Sequence, residues 1–153
     1  MGEPHRFRVK VRLYETDLYG HVNHAQYVHY FETGRIEALA SIGLSIEEMK
    51  RLGYLIFAVD VYVKFHTPAY LGEELEIVTS VSEMRGARTI WAQEVRNAAT
   101  GALVASGQVT GALMGDGGRP ARLPAAFAEK LGALHRPDAA AGRPSHPGGE
   151  PGA

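Results

Sequence analysis

The sequence contains no cysteine, no long apolar run and no surplus of either charge. Without cysteine, disulfides, thiolate metal ligands and a cysteine nucleophile are excluded. The 16 Lys and Arg residues balance 17 Asp and Glu residues, which argues against a nucleic-acid-binding protein. No segment approaches the ~18 apolar residues of a membrane-spanning helix, and the first residues lack the apolar core of a signal peptide. We therefore expect a cytoplasmic protein without a membrane span.

The composition changes near residue 137. The last 17 residues include four Pro and four Gly and no large apolar residue, so they cannot bury enough surface to offset the entropy of ordering them. The length suits a single domain. We predict one folded domain over 1–136 and a Pro-, Gly- and Ala-rich disordered tail over 137–153.

The spacing of apolar residues predicts the order of helices and strands. A strand is expected over 7–13, a long helix over 24–42, a short helix from Ser45 to Gly53, strands over 54–66, 74–84, 87–97 and 102–114, and a last helix after Pro124. Consecutive strands that follow one long helix favour an antiparallel sheet with that helix across it. The predicted fold class is α+β.

Within the long helix, three features predict local contacts. Asn23 suits the N-cap position, and Gln26 three residues later completes a possible capping box. Gly34 lies on the apolar stripe, where close packing against the helix backbone would explain a costly mid-helix glycine. Glu32 and Arg35 have the spacing of a helical ion pair.

The strand predicted over 54–66 is apolar on both faces. Leu55, Phe57, Val59, Val61, Val63 and Phe65 alternate onto one face of a regular strand, and the residues between them onto the other. An apolar strand at a sheet edge invites pairing with another chain. We therefore predict a homodimer that pairs through this strand.

The densest chemical signal lies where the chain enters the long helix. Asp17 belongs to a polar turn just before the helix N-terminus, where the first backbone N–H groups lack internal partners and favour negative charge. A carboxylate that faces free amides can attack a carbonyl group and stabilise the resulting oxyanion. From the residues alone, a simple turn-capping role for Asp17 stays open.

The motif around Asp17 resembles the signature of the 4-hydroxybenzoyl-CoA thioesterase family, which includes the YbgC-like acyl-CoA thioesterases. It consists of Thr16-Asp17-x-x-Gly20-His21-Val22-Asn23-x-x-x-Tyr27, continued by Tyr30-Phe31-Glu32 and Arg35. The resemblance implies the hotdog fold, in which a five-stranded antiparallel sheet wraps around a long central helix. It also implies hydrolysis of an acyl-CoA to a free acid and CoA, and homotetramers built from dimers.

The resemblance also implies roles for single residues. Asp17 matches the catalytic carboxylate, acting as nucleophile or as general base, and the backbone N–H of His24 matches the donor that polarises the thioester carbonyl. Many relatives have Asn in place of His24, so only its backbone role carries over. Tyr27 would line the acyl pocket or hold the Asp17 loop. Gly20 would let the turn pass close to the acyl group, where a Cβ would intrude.

Further candidates for substrate binding surround this motif. His21 and Asn23 belong to the turn itself, and His21 is expected to form hydrogen bonds there. The family places contacts to the CoA phosphates near the hairpin that carries Arg85 and Arg88. Other candidates are Lys64 and His66, at the end of the long strand. We expect no cofactor and no metal, because His21, His24 and His29 lack a completing ligand pattern.

Two other functions fit the same fold. A hotdog hydratase needs Asp and His separated by four residues, whereas three residues separate Asp17 from His21. A non-catalytic acyl-CoA binding protein would not need a carboxylate at Asp17. The sequence does not distinguish an aromatic from an aliphatic acyl group.

Overall fold

The computed structural model describes residues 2–139, which form an antiparallel sheet with helices packed on it. The strands are β1 His5–Lys10, β2 Leu55–Phe65, β3 Glu74–Arg85, β4 Arg88–Asn97 and β5 Leu103–Met114. The helices are α1 Gln26–Ser41, α2 Ile46–Arg51 and α3 Ala125–Leu131, with 3₁₀ turns at Leu13–Glu15, Asp116–Gly118, Gly132–Leu134 and Pro137–Ala139. The predicted α+β class is confirmed. Of the predicted tail, only 137–139 fall within the described residues, and 140–153 lie outside them.

The strand order places β2 and β1 at the two edges of the sheet. The order is β1-β3-β4-β5-β2, and each neighbouring pair is antiparallel. The predicted hairpin between β3 and β4 is present, with Arg85 opposite Arg88 and Gly86 at a φ of 62°. Because β2 is an edge strand, its outer backbone groups face away from the sheet.

Helix α1 packs its buried stripe on the sheet. Its 16 residues give a helix about 24 Å long, and Phe31 and Ala38 are fully buried in the core. A Cβ on Gly34 would lie 2.6 Å from Ile77 Cγ2, so the predicted reason for this glycine, close packing, is confirmed. Between residues 2 and 139, no helix combines the length and apolarity of a membrane span.

Two predicted boundaries near the N-terminus are wrong. Strand β1 ends at Lys10 rather than residue 13, because the chain turns into a 3₁₀ helix over Leu13–Glu15. Helix α1 begins at Gln26 rather than residue 24. The capping box is also wrong: Asn23 Oδ1 accepts from the N–H of Ala25, and the side chain of Gln26 donates to Glu15 instead.

The predicted face of β2 is wrong for half of the strand. The pairing with β5 shifts between Ala58 and Asp60, so Val59 is a bulge residue. Paired residues share a face: Ala58 pairs with Gly111 and Val61 with Val109, which lies in the core. Before the bulge, the even-numbered residues of β2 therefore face the core. After the bulge, the odd-numbered residues face the core. Regular alternation could not reveal this exchange.

Candidate functional site

The residues around Asp17 form a closed loop between β1 and α1. At its base, the N–H of Asn23 donates to the carbonyl oxygen of Glu15 at 2.8 Å. Further along, the N–H of Asp17 donates to the carbonyl of His21 at 2.8 Å. Gly20 has a φ of 78°, and an added Cβ there would meet nothing within 4 Å. The left-handed turn, rather than crowding within this chain, therefore accounts for Gly20.

Hydrogen bonds within the loop orient the carboxylate of Asp17. Its Oδ1 accepts from the N–H of Tyr19 at 2.8 Å and from the N–H of His21 at 3.2 Å. Its Oδ2 has no hydrogen-bond partner among residues 2–139. Asp17 thus caps its own turn with one oxygen and presents the other, so the capping role and a chemical role are compatible.

A cleft of about 350 Å³ opens beside this carboxylate. Its walls are Asp17, His21, Val22, His24, Tyr27, Phe65, His66, Thr67 and Pro68. The backbone N–H of His24, just before α1, has no acceptor within the described part of the chain. Two residues that line one cleft, Asp17 and His24, therefore carry a free carboxylate oxygen and a free backbone amide. The cleft lies at the N-terminus of a helix, where partial positive charge collects.

Tyr27 forms the buried wall of the cleft. Its ring centroid lies 5.5 Å from that of Phe65 and 5.9 Å from that of Tyr30. Burial, followed by the negative charge of Glu73, raises the pKa of Tyr27 to about 12. The phenol is therefore neutral at physiological pH and is poorly suited to act as a base there.

Two histidines border the cleft. The His21 ring packs edge-on against Tyr70, with 5.0 Å between centroids. The backbone N–H of His21 donates to Asp17 Oδ1, and its carbonyl oxygen accepts from the N–H of Asp17. His66 Nε2 lies 2.8 Å from Ser106 Oγ. Among residues 2–139, no group of three His, Asp or Glu side chains is arranged to hold a metal ion.

The other predicted substrate contacts lie outside the cleft. Lys64 is exposed and pairs with Ser106 in β5. Arg88 pairs with Ala112, which in turn pairs with Phe57, whereas the cleft adjoins Phe65 at the other end of β2. Eight residues of strand correspond to about 26 Å. Within one chain, the Arg85–Arg88 hairpin therefore does not reach the Asp17 cleft.

Glu15 is a residue of this site that the sequence analysis missed. It is 1% exposed, although carboxylates are rarely fully buried. Its carboxylate accepts four hydrogen bonds: from the N–H and guanidinium of Arg12, from Gln26 Nε2 and from the hydroxyl of Tyr30. Burial alone would raise the pKa of Glu15, but the bonds from Arg12 and Tyr30 and the charge of Arg12 outweigh it, so the pKa is lowered.

Glu32 and Arg35 interact through their charges without forming the predicted contact pair: burial lowers the pKa of Arg35, and the charge of Glu32 opposes that shift. No Glu32–Arg35 ion pair is present within residues 2–139, and Arg35 Nη1 donates to Gln93 Oε1 at 3.0 Å. Both residues line a second, mostly apolar cavity of about 400 Å³ between α1, α2 and the first half of β2. Arg35 therefore belongs to the packing of α1 on the sheet.

Comparison with known proteins identifies the family. The model of the thioesterase-like superfamily matches residues 11–131. The chain belongs to this superfamily. The match covers the Asp17 loop, α1 and the four strands β2 to β5, so it includes the whole candidate site.

Relatives and solved structures agree with this assignment. The chain is 36% identical over 88 residues to the chloroplast acyl-acyl carrier protein thioesterase ATL3 of Arabidopsis thaliana. The aligned segment covers 58% of this chain and 46% of ATL3. The chain is 34% identical over 94 residues to the acyl-CoA thioester hydrolase YbgC of Escherichia coli, covering 60% of this chain and 70% of YbgC. The crystal structure of the hypothetical protein TT1821 from Thermus thermophilus aligns with a TM-score of 0.79 at 31% identity, over 85% of this chain and 98% of that one.

The chain spans less than half the length of ATL3. The predicted family and the hotdog arrangement of a five-stranded antiparallel sheet with helices are nevertheless confirmed.

Proposed function

We propose that the chain is an acyl-CoA thioesterase, which hydrolyses a thioester to a free carboxylic acid and CoA. The observation that carries this proposal is the cleft in which Asp17 Oδ2 and the N–H of His24 both lack protein partners within residues 2–139. One group is suited to attack a thioester carbonyl and the other to bind the oxygen on which charge develops. The name of YbgC, an acyl-CoA thioester hydrolase, supports the same activity, and the name of ATL3, an acyl-acyl carrier protein thioesterase, supports thioester hydrolysis.

In the nucleophilic route, Asp17 Oδ2 attacks the carbonyl carbon of the thioester. The carbonyl oxygen becomes an oxyanion, which the His24 N–H stabilises; one such donor contributes roughly 3–4 kcal/mol in known enzymes. The C–S bond then breaks, CoA leaves as a thiolate that takes a proton from water, and Asp17 holds the acyl group as a mixed anhydride. Water cleaves the anhydride, releases the acid and a proton, and restores the carboxylate.

In the general-base route, Asp17 instead takes a proton from water while the water oxygen attacks the carbonyl carbon of the thioester. The C–S bond then breaks to give the free acid, and the proton held by Asp17 passes to the departing CoA thiolate. Tyr27 and His66 shape the cleft in either case. Rapid acid quench followed by intact-protein mass measurement distinguishes the two routes. An adduct of the acyl mass on wild type, absent from Asp17→Asn, identifies the nucleophilic route.

We further propose that the working unit is a homodimer paired through β2, assembled into a homotetramer. Side chains along this edge strand are unusually exposed for their size, including Phe57 at 52% and Phe65 at 54%. An antiparallel copy of β2 centred near Val61 would lay its Phe57 end beside the Phe65 end of this chain. The Arg85–Arg88 hairpin of that copy would then approach the Asp17 cleft, where the phosphates of CoA need cationic partners.

The test is thiol release from aliphatic and aromatic acyl-CoAs, with matched acyl-pantetheine and acyl-carrier-protein substrates. Wild type, Asp17→Asn and the control Asp138→Asn are compared, since Asp138 is an exposed carboxylate in the 3₁₀ turn Pro137–Ala139 and does not line the cleft. We expect wild type and Asp138→Asn to release thiol, and Asp17→Asn to be at least about 100-fold slower, as for removal of a catalytic group. Release by Asp17→Asn at the wild-type rate would refute the assignment of Asp17.

A folded wild type that binds acyl-CoA but releases no thiol from any substrate would refute the proposed activity. The acyl-CoA binding protein would then be the better description. If only acyl groups on acyl carrier protein were hydrolysed, the proposed thioester hydrolysis would stand, and acyl carrier protein would replace CoA as the carrier of the acyl group.

A further inference from the structure

The carboxylate of Glu15 connects three parts of the site. The Oε1 of Glu15 accepts from the N–H of Arg12, with 2.8 Å between the oxygen and the nitrogen, and so holds the segment that follows β1. Through Gln26 Nε2, at 3.0 Å, the carboxylate holds the first residue of α1. Through the hydroxyl of Tyr30, at 3.2 Å, it holds the second turn of the same helix.

The backbone of Glu15 completes the connection. Its carbonyl oxygen accepts from the N–H of Asn23 and so closes the base of the loop. Asp17 lies two residues into this loop from Glu15, and His24 lies one residue past Asn23, just outside it. The bonds that meet at Glu15 therefore join both sides of the pair formed by the Asp17 carboxylate and the His24 amide, while the bond from the N–H of Val22 to Ala69 anchors the loop separately.

We propose that Glu15 is a positioning residue, which fixes the geometry between the Asp17 carboxylate and the His24 amide for the attack on the thioester. This inference rests on the proposed thioester hydrolysis. Glu15 does not line the cleft, so it acts through the loop and α1 and not on the substrate. Displacement of reacting groups by about 1 Å costs up to about 100-fold in rate, so loss of this connection is expected to appear in kcat.

The chemistry of the four bonds requires a carboxylate. All four partners of Glu15 are donors, and an ionised carboxylate offers acceptors only. A glutamine of the same shape would place an N–H₂ group against at least one of these donors. Glu15→Gln therefore breaks the connection without creating a cavity.

The experiment measures kcat, KM and affinity for a non-hydrolysable thioether analogue of the best acyl-CoA, at a temperature at which every variant is folded. For Glu15→Gln we expect kcat to fall by about 10- to 100-fold, with KM and analogue affinity within about twofold of wild type. Gln26→Met and Tyr30→Phe each remove one donor and should give smaller losses in kcat, again at nearly constant KM. These milder variants keep the test decisive if Glu15→Gln fails to fold.

The matched control is Glu76→Gln. Glu76 is also a glutamate held by arginine, with 2.6 Å between its Oε1 and Arg6 Nη1, but it lies on β3 opposite β1 and does not line the cleft. We expect Glu76→Gln to keep the wild-type kcat. Wild-type kcat in Glu15→Gln, or equal losses in Glu15→Gln and Glu76→Gln, would overturn the inference.

Amide hydrogen exchange provides a readout that does not depend on turnover. We expect faster exchange at the Asn23 and His21 amides in Glu15→Gln than in Glu76→Gln, because the loop loses its connection to α1. Unchanged exchange in Glu15→Gln would also overturn the inference. An inactive wild type would refute the proposed function, and the exchange comparison would still decide the role of Glu15.

Discussion

Arg35 in α1 donates a hydrogen bond to the Oε1 of Gln93 in β4, with 3.0 Å between the two atoms. The Nε2 of Gln93 donates in turn to the carbonyl of Phe31 and to the hydroxyl of Thr79. Gln93 is 1% exposed, so these bonds form in the interior. A single amide therefore joins the helix that carries the site to two strands of the sheet.

Replacing this amide is expected to weaken the fold. Gln93→Leu leaves buried donors and acceptors unpaired, which costs about 1–3 kcal/mol in the free energy of unfolding, measured by urea denaturation. The control is Gln108→Leu in β5, whose side chain makes no hydrogen bond within residues 2–139, and it should change stability by less than about 0.5 kcal/mol. Equal effects of the two substitutions would contradict the prediction.

Gly34→Ala is expected to destabilise the protein although alanine favours helices. Alanine gains about 1 kcal/mol in helix propensity, but its Cβ would lie 2.6 Å from Ile77 Cγ2 and 2.8 Å from Thr79 Oγ1. Overpacking of this kind costs about 1–3 kcal/mol, so a net loss should appear in thermal unfolding. Gly132→Ala is the control, since it has helical φ and nothing within 4 Å of the new Cβ; a loss there as large as at Gly34 would refute the packing argument.

Tyr27→Phe is expected to keep most of the activity. The hydroxyl stays protonated until about pH 12, so removing it should change kcat by less than about threefold and leave the pH profile of kcat unaltered below pH 10. Tyr27→Ala should instead lower the free energy of unfolding by about 3–5 kcal/mol through the lost ring. A change in the pH profile of Tyr27→Phe would show that the phenol takes part in proton transfer.

Glu15 should make stability depend on pH in the acid range. The pKa of Glu15 is lowered below the ordinary 4.5. The charged carboxylate therefore stabilises the fold at pH values above 4.5, and this contribution is lost as the pH falls through the lowered pKa. The difference in unfolding free energy between wild type and Glu15→Gln should therefore shrink between pH 6 and pH 3, in urea titrations at each pH. A difference that stayed constant would show that the effect is not electrostatic.

Phe57→Lys is expected to convert the proposed homodimer to monomers. A lysine on an apolar edge strand opposes pairing with a second copy, and light scattering at micromolar concentration measures the mass directly. Leu71→Lys is the matched control, because Leu71 is 54% exposed, close to the 52% of Phe57, but lies outside β2. A monomeric wild type, or dissociation by Leu71→Lys alone, would rule out pairing through β2.

Local patterns in the sequence predicted the elements better than the contacts between them. The strands predicted over 74–84, 87–97 and 102–114 and the position of Gly34 on the α1 stripe follow from local sequence patterns, and both predictions held. The regular alternation predicted for β2 failed at Val59, because an extra residue in one strand leaves no mark on the apolar composition of that strand.

The part of the site that the sequence concealed depends on distant partners. Glu15 contacts Gln26 and Tyr30, 11 and 15 positions away, and Arg35 contacts Gln93, 58 positions away. A glutamate next to a polar turn is ordinarily exposed, so nothing local marked Glu15 as buried. The signal that could have found it is the placement of Gln26 and Tyr30, four residues apart and thus on one face of the helix.

The bulge in β2 also determines which changes in chain length the strand tolerates. Val59 is the extra residue opposite β5, and the residues on either side of it already alternate correctly with each other. Deleting Val59 would leave every other side chain of β2 on its present face. Deleting Tyr62 instead would move either the residues before it or those after it by one position, and would turn Lys64 or Asp60 toward the core. Natural length variation in this strand is therefore expected to concentrate at one position.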